Sequence, residues 1–384
     1  MIALTKEELL EKALCCNRCG TCRGVVQDEV PDIAFSTQCQ PGMTLFGAHE
    51  PSGRMYLARG IAQGDLKWNE DLAKILYTCT LCGYCDDFCQ RGYRHTPAIE
   101  ILEELRATIP EKLKPKAIKN ALSTLSLPKA NKLKVLENYG VADVAGKAAT
   151  ILFGDNTLLS NAAKLEEIGH IIKKSGKKVS CFISEPLPPV NAALVSGGFR
   201  KELASAMSEI DAKLDAAGVK KVIVYNPESL SVLKSQSTSA AEFVSITRFC
   251  ADILKSKKIK TKKVKLGKVT YQDPCHLGRY SKEYAAPREI MKKLGVDLIE
   301  MWRSGDNSLC CGAGGGVNMN RPDLAKQYAA NRWHEAKATG AQTLLTACPF
   351  CSGNLRQGKP KKIAMMDITS LVAKALGYTG KEAR

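Results

Sequence analysis

Several things are missing from this sequence of 384 residues, and each absence excludes a class of protein. No stretch approaches about 18 uncharged apolar residues, so no membrane-crossing helix is expected. The opening MIALTKEELLEKAL reads as an amphipathic helix that carries acids. It lacks the apolar core and small-residue cleavage site of a secretion signal, and none is expected. GxGxxG and Walker spacings are absent, as are flavin, nicotinamide and haem motifs, so the chain has no hydride chemistry of its own. Acid is in short supply: 56 Lys and Arg face 39 Asp and Glu, a net charge of +17. The imbalance peaks in KSKKIKTKKVKLGK, where eight lysines from Lys255 to Lys268 meet no acid. With no aromatic interleaving and no recognition motif, nucleic acid is not an expected partner. The run reads as a solvated lysine-rich face, with an acidic protein surface as the alternative.

Cysteine is plentiful, yet 16 in 384 residues fall short of a disulfide scaffold, and such scaffolds are far shorter. Metal ligation in a reducing cytoplasm is the expected use. The length suggests two or three domains, and 45% hydrophobic residues allow a substantial core.

Residues 1–106 read as helices separated by cysteine loops, with helical segments before Cys15 and over Met55–Gln63, Asn69–Tyr77 and Pro97–Arg106. Residues 107–148, lysine-rich with Pro110, Pro115 and Pro128, read as a linker. From Ala149 short apolar strands (ATILF, VSCFI, VIVYN, VTYQ, LIEM, TLLTA) alternate with helical stretches such as Leu165–Lys174 and Asp323–Ala338. That pattern predicts an α/β region with mainly parallel strands, and α+β for the whole chain. Within it GVKKVIVYNPES (Gly218–Ser229) aligns with GAQTLLTACPFC (Gly340–Cys351) at an offset of 122, which also carries Ile246-Thr247 onto Ile368-Thr369. Two copies of one unit are expected, at 149–260 and 261–384. At the same offset the second copy's Cys275, Cys310, Cys311, Cys348 and Cys351 fall on Phe153, Pro188, Pro189, Asn226 and Ser229. None of these is an expected ligand for iron-sulfide, so the first copy is expected to be a structural partner.

The run Cys79, Cys82, Cys85, Cys89 has the C-x2-C-x2-C-x3-C spacing of bacterial ferredoxins, in which three thiolates hold one cubane and the fourth reaches another. Gln90 stands where a proline usually follows. Cys16, Cys19 and Cys22 repeat the first three positions, and their fourth partner, Cys39, lies beyond a loop. Crossing over assigns Cys16, Cys19, Cys22 and Cys89 to one [4Fe-4S] cluster and Cys79, Cys82, Cys85 and Cys39 to the other, with Cys15 left over or exchanging with Cys16. Structural zinc is the competing use of C-x2-C pairs, but it has no need of the regularly spaced third cysteine. Cys181 and Cys250 lie in apolar segments and are expected to be buried.

The third set supplies five thiols where a cubane needs four, and Gly312, Gly314, Gly315 and Gly316 free the backbone around the adjacent pair Cys310-Cys311. In CNRCGTCR, PSGRMYLARG, CTLCGYCDDFC, YQDPCHLGRY, SLCCGAGGG and ACPFCSGN, taken in that order, the chain resembles the CCG family of iron-sulfur proteins. The resemblance is to the D-type subunit of heterodisulfide reductase and the iron-sulfur subunits of glycolate oxidase and anaerobic glycerol-3-phosphate dehydrogenase. It implies a helical ferredoxin-like domain with two cubanes, and an α/β domain with a non-cubane [4Fe-4S] cluster held by Cys275, Cys310, Cys311, Cys348 and Cys351. In heterodisulfide reductases proper two such clusters face each other across the substrate disulfide, whereas here Asn226-Pro-Glu-Ser229 replaces the first C-P-x-C.

The expected function is therefore an electron-transfer subunit of a cytoplasmic oxidoreductase, in contact with a membrane only through a partner. That partner would be a flavoprotein, a molybdenum or tungsten enzyme, or a quinone-linked membrane subunit, and the lysine-rich surface would orient it. The alternative is a catalytic disulfide reductase whose substrate sulfur binds the CCG cluster; His276, beside Cys275, is expected to pack or donate to cluster sulfide, with proton supply as its second reading.

Overall fold

The computed structural model describes residues 3–24, 30–89, 95–123, 130–190 and 192–380. Gln90 and Pro128 lie outside them. The opening segment forms α1 (Lys6–Leu14), started by a reciprocal Thr5/Glu8 cap that satisfies two free amide donors. Five further helices follow: α2 (Gln40–Thr44), α3 (Pro51–Gln63), α4 (Glu70–Leu76), α5 (Tyr84–Asp87) and α6 (Ala98–Thr108). α1, α3 and α6 pack together, burying Leu9, Ala13, Met55, Ala58, Ile101 and Leu105. Among the described residues up to Thr108 the only β-type contact is the bridge Gly24–Thr37, in keeping with the missing strand pattern.

After α7 (Lys116–Ser123) the chain enters two parallel sheets. The first holds β1 (Ala142–Asp143), β2 (Thr150–Phe153), β3 (Ser180–Cys181), β4 (Lys221–Val224) and β5 (Glu242–Ser245) in the order β1-β3-β2-β4-β5. β1 lies inside the stretch expected as linker and pairs with β3. Between and after these strands run α8 (Asn156–Leu159), α9 (Ala162–Ser175), α10 (Ala192–Gly197), α11 (Arg200–Ala216), α12 (Pro227–Gln236) and α13 (Ile246–Leu254). The second sheet holds β6 (Lys268–Gln272), β7 (Asp297–Leu298), β8 (Thr343–Thr346) and β9 (Ala364–Asp367) in the order β7-β6-β8-β9, again all parallel. Its helices are α14 (Ala285–Lys293), α15 (Val317–Asn320), α16 (Pro322–Ala338), α17 (Pro349–Gln357) and α18 (Ile368–Ala375). The mixture of helix with parallel sheet matches the fold class expected from the alternating pattern.

Sheet register refines the repeat. β4 and β8 correspond at the offset of 122, but Thr150 pairs with Lys221 whereas Val269 pairs with Thr343, so β2 and β6 correspond at 119. The counterpart of Cys275 is therefore Asn156, and not Phe153. The second copy has three more residues in the connection between its paired strands, the one that carries Cys310 and Cys311. The copies face each other with pseudo-twofold symmetry, α9 against α18 and α14 against α13. The α9 contact encloses a buried Lys164, whose Nζ meets Glu167 Oε2 at 2.5 Å, Ser370 Oγ at 2.8 Å and Asp367 Oδ1 at 3.3 Å.

The helical region is locked onto the second sheet. Wholly buried Arg106 of α6 donates to the carbonyls of Leu76 (2.7 Å), Cys79 (2.8 Å), Gly315 (2.9 Å) and Ser196 (3.1 Å). Tyr280 Oη donates to Leu81 O at 2.7 Å. Gly315 sits at φ +62°, and a Cβ there would overlap the Cys79 carbonyl oxygen and stand 2.8 Å from the Thr80 carbonyl carbon. The glycine run after Cys311 thus lets the Cys79–Cys82 loop lie directly on the Cys310–Cys311 loop, a close approach that spacing alone does not reveal. Gly315→Ala is expected to destabilise the fold by roughly 2–4 kcal/mol, from the left-handed φ plus the clash. Gly176→Ala, with φ +65° and open space around it, is expected to cost only about 1 kcal/mol. Chemical denaturation of the two variants checks the difference.

Candidate metal centres

The motifs CNRCGTC and CTLCGYC fold alike. Arg18 and Leu81, one residue before the second cysteine, have φ of +62° and +49°, and Gly20 and Gly83, one residue after it, have +81° and +77°. Left-handed turns at these positions curl the backbone so that successive amides face inward, a concavity suited to an anion. For Arg and Leu that conformation is costly and points to a functional constraint. Leu81 N already donates to Cys79 Sγ at 3.4 Å, and Thr96 N to Cys89 Sγ at 3.4 Å.

Cys16, Cys19, Cys22 and Cys89 line one cavity, together with Cys85 and with Pro51, Ser52 and Met55 of α3. Burial, then the charges of Cys16, Cys39, Cys19 and Cys89, push the Cys22 thiol up to about 12. The Cys15 thiol donates to Glu11 O at 3.5 Å and does not line this cavity. Cys39, the residue before α2, is pushed up to about 12 chiefly by burial, with Arg54 opposing and Cys79 and Cys82 adding to the shift. Cys85 is raised by burial and Asp86, then by Cys79, Cys22 and Cys82. Cys39, Cys79, Cys82 and Cys85 thus form a second neighbourhood, and Cys85 borders the first.

The third set gathers where the second sheet changes direction. Strand order β7-β6-β8-β9 places a crevice beyond the carboxyl ends of β6 and β8, the usual ligand position in open parallel sheets. Cys275 follows β6 at the start of a π-helical turn (His276–Tyr280), and Cys348 follows β8 at the start of α17, with Cys351 on its first turn. Cys348 makes no side-chain cap, whereas Asn226, its counterpart in the first copy, accepts from Glu228 N at 3.0 Å. The thiol does no capping where the amide does. Gln40 donates to Cys310 O at 2.6 Å and Asn354 to Cys311 O at 2.7 Å, fixing the paired cysteines from both sides. Gly312 N donates to Cys310 Sγ at 3.4 Å.

The five thiols form one hydrogen-bonded chain. Cys275 and Cys310 share a hydrogen bond, which raises Cys275 and lowers Cys310. Cys310 and then Cys351 hold Cys311 down to about 5, and Cys351 is raised by Cys311 and Cys348. Cys310 also meets Cys82 of the second neighbourhood, and this contact raises Cys82 more than burial does. Arg279 binds this junction, donating to Cys82 O at 3.2 Å and Asp306 O at 3.1 Å.

The donor set fits iron-sulfide ligation. Three adjoining groups of thiols, crowded and mostly shielded from water, gain from a cationic guest that lets them ionise, and thiolate is the soft donor iron-sulfide takes. Among the described residues no three His, Cys, Asp or Glu side chains stand at the spacing of a single ion. A cubane binds its thiolates through different irons and sets them wider apart. Cys181 and Cys250 are buried, as expected.

His276 is buried, and burial lowers its imidazole to about 4. It stacks on Tyr280 with centroids 4.4 Å apart, and its Nδ1 lies 2.9 Å from Ser231 Oγ. Glu228 approaches it at 3.7 Å but is itself raised to about 8 by burial, Cys310 and Asp155. Glu228, Gln40, Arg106 and Arg279 all border the thiols and were not singled out by spacing. Gln40, next to Cys39, Arg279, in the segment after Cys275, and Glu228, inside Asn226-Pro-Glu-Ser229, sit near a motif that could have drawn notice.

The matching family model, described as a cysteine-rich domain, covers residues 269–356. The D-type subunit of the dihydromethanophenazine:CoB–CoM heterodisulfide reductase of Methanosarcina mazei is 31% identical, across 98% of this chain and 97% of that one. A probable membrane-anchored ferredoxin of Chromohalobacter salexigens is 26% identical, across 95% of this chain and 60% of that one. In this chain no helix among the described residues is long and apolar enough to cross a membrane. A hypothetical protein from Helicobacter pylori shares the fold, with TM-score 0.53, 12% identity, and coverage of 90% of this chain and 72% of that one. With near-complete mutual coverage at 31% identity and its cysteine-rich domain seated at the sheet crevice, the chain belongs to the iron-sulfur family of heterodisulfide reductase D-type subunits.

Proposed function

We propose that this chain is an iron-sulfur electron-transfer subunit of a multi-subunit oxidoreductase, in which two cubanes and one non-cubane cluster form a relay. A helical ferredoxin-like domain, about residues 1–106, would hold the cubanes through Cys16, Cys19, Cys22 and Cys89, and through Cys79, Cys82, Cys85 and Cys39. The second α/β copy would hold the non-cubane cluster through Cys275, Cys310, Cys311, Cys348 and Cys351. When bound, such clusters supply one-electron steps. The protein's part is to place the three thiol groups in contact, shield the inner two from water and aim amides at their sulfurs.

One observation carries this reading: the Cys82–Cys310 contact, which joins the second group to the third without intervening side chains. The partner would be the subunit bearing the flavin, the molybdenum or tungsten centre, or the quinone site, placing the complex in the cytoplasm or at a membrane through that subunit. A relay predicts that the isolated, anaerobically prepared chain takes up electrons from a low-potential dye but turns over no disulfide until a co-purifying subunit is added. Disulfide turnover by the isolated chain would refute it.

The catalytic alternative has one observation in its favour. A pocket of about 500 Å³, lined by Ser231, His276, Arg279, Tyr280 and Lys282, opens beside Cys275. Steady-state assay of small disulfides against Tyr280→Phe and wild type separates the readings, since a relay leaves both without turnover.

A further inference from the structure

We propose that Arg54, Arg106 and Arg279 are the counter-charge for an electron held at the second thiol group, Cys39, Cys79, Cys82 and Cys85, and make it the cubane site that is reduced more readily. This rests on the relay reading and gives the relay a place where electrons collect before they pass to the third group.

Five arginines are buried among the described residues, and they fall into two kinds. Arg303 and Arg332 share the buried carboxylate of Glu335, at 3.1 and 2.6 Å. Arg54, Arg106 and Arg279 form no ion pair with a described carboxylate, and their hydrogen bonds go to uncharged oxygens. Arg54 donates to Thr78 Oγ1 at 2.9 Å, Arg106 to its four carbonyls, and Arg279 to the carbonyls of Cys82, Asp306 and Ser308. The Nε of Arg54 and that of Arg106 are buried with no acceptor among the described residues. Buried charges persist where a partner or a metal site holds them. Three unpaired cations in one place point to an anion that the carboxylates of the chain do not supply.

All three border the second thiol group. Arg54 opposes the rise that burial imposes on Cys39. Arg106 donates to Cys79 O at 2.8 Å and Arg279 to Cys82 O at 3.2 Å. Burial works against the Arg279 charge, and Cys82, Cys275 and Cys310 outweigh it. Acids are fewer here: Glu50 is bound to Arg23 at 3.3 Å, Asp86 adjoins Cys85, and Glu103 acts on Arg106 from beyond ion-pair distance. The first group has no such set, since Arg18 is exposed and Arg59 half-buried, where water and salt screen them.

Four thiolates outweigh the positive charge of a cubane core, and reduction adds one more negative charge. Burial by itself opposes that added charge. Fixed cations beside it favour it, in a place where water does little to weaken them. An electron therefore settles at the second group in preference to the first, next to the Cys82–Cys310 contact.

The test is an EPR-monitored redox titration of the full-length, iron-loaded chain, in which the first cubane's signal is identified by its change in Cys16→Ser. In the wild type the second cubane is expected to have the higher potential of the two. Arg54→Gln should lower its reduction equilibrium constant by about tenfold, or about 59 mV for one electron. Arg54→Lys should keep that constant within about twofold, and the first cubane's potential and the iron content should match wild type in both. Arg279→Gln and Arg279→Lys give the same comparison where an Arg54 variant loses iron. A first cubane with the higher potential, a glutamine shift that is absent or equalled by lysine, or loss of iron from all four variants overturns the counter-charge assignment. A wild-type chain that shows no second cubane signal overturns the relay reading instead.

Discussion

Cys348→Ser is expected to leave about 8 of about 12 iron atoms per chain, and to remove one cluster signal while two cubane signals persist. Cys348 stands at the crevice end of β8, bonded into the chain of thiols through Cys351, and it does no capping work for α17. Serine at that position can accept from an amide of the helix's first turn, so helix stability should hold or rise by about 0.5–1 kcal/mol. The first copy shows the fold tolerating such a change: Asn226 occupies the same place, caps α12 and leaves the β4–α12 junction intact. Iron and sulfide analysis with low-temperature EPR checks the outcome. Loss of all three signals would mean that the thiol groups do not load independently.

Arg106→Leu is expected to destabilise the protein by about 3–5 kcal/mol, because it strands buried carbonyls that one guanidinium now serves. The four acceptors belong to three places: Leu76 and Cys79 on the helical region, Ser196 on the first copy and Gly315 on the second. The side chain also lies over the Tyr77 ring, with 4.7 Å from Cζ to the centroid. Burial lowers the Arg106 pKa, the cost of holding a charge there, and neighbouring Cys79 partly offsets it. Arg106→Lys should recover little, since an ammonium cannot match the planar fork that reaches all four oxygens. Chemical denaturation gives the stability. The rate at which electrons pass from the cubanes to the third cluster should fall in the lysine variant even where it remains folded, because Cys79 and Gly315 are held together through this one group.

The cysteine spacing made the three thiol groups legible before any fold was considered, since C-x2-C-x2-C carries its own turn geometry and the shared glycine marks the left-handed residue. The repeat was legible because β4 and β8 are central strands whose apolar runs must align. Its register at β2 was not, since three extra residues in the second copy lie in a connection with no periodicity of its own. β1, β5 and β9 escaped notice for a related reason: they are edge strands of two or four residues, too short or too mixed to show alternation. The joint between the helical region and the second sheet was hidden entirely. Arg106, Gln40 and Gly315 act at sequence separations of 209 to 270 residues, and a buried arginine in a helix reads locally as a surface charge. Lys255–Lys268 read as a solvated face and its lysines are exposed, but its place at the amino end of β6 could not be read from charge.

The central claim, a three-cluster relay in one chain, is tested most directly by an EPR-monitored redox titration of the anaerobically purified wild-type protein, with iron counted on the same sample. The account predicts about 12 iron atoms per chain and three separable one-electron centres, one of them unlike a cubane. A colourless protein that holds zinc, or a brown one with about 8 iron atoms and two cubane signals only, would contradict it.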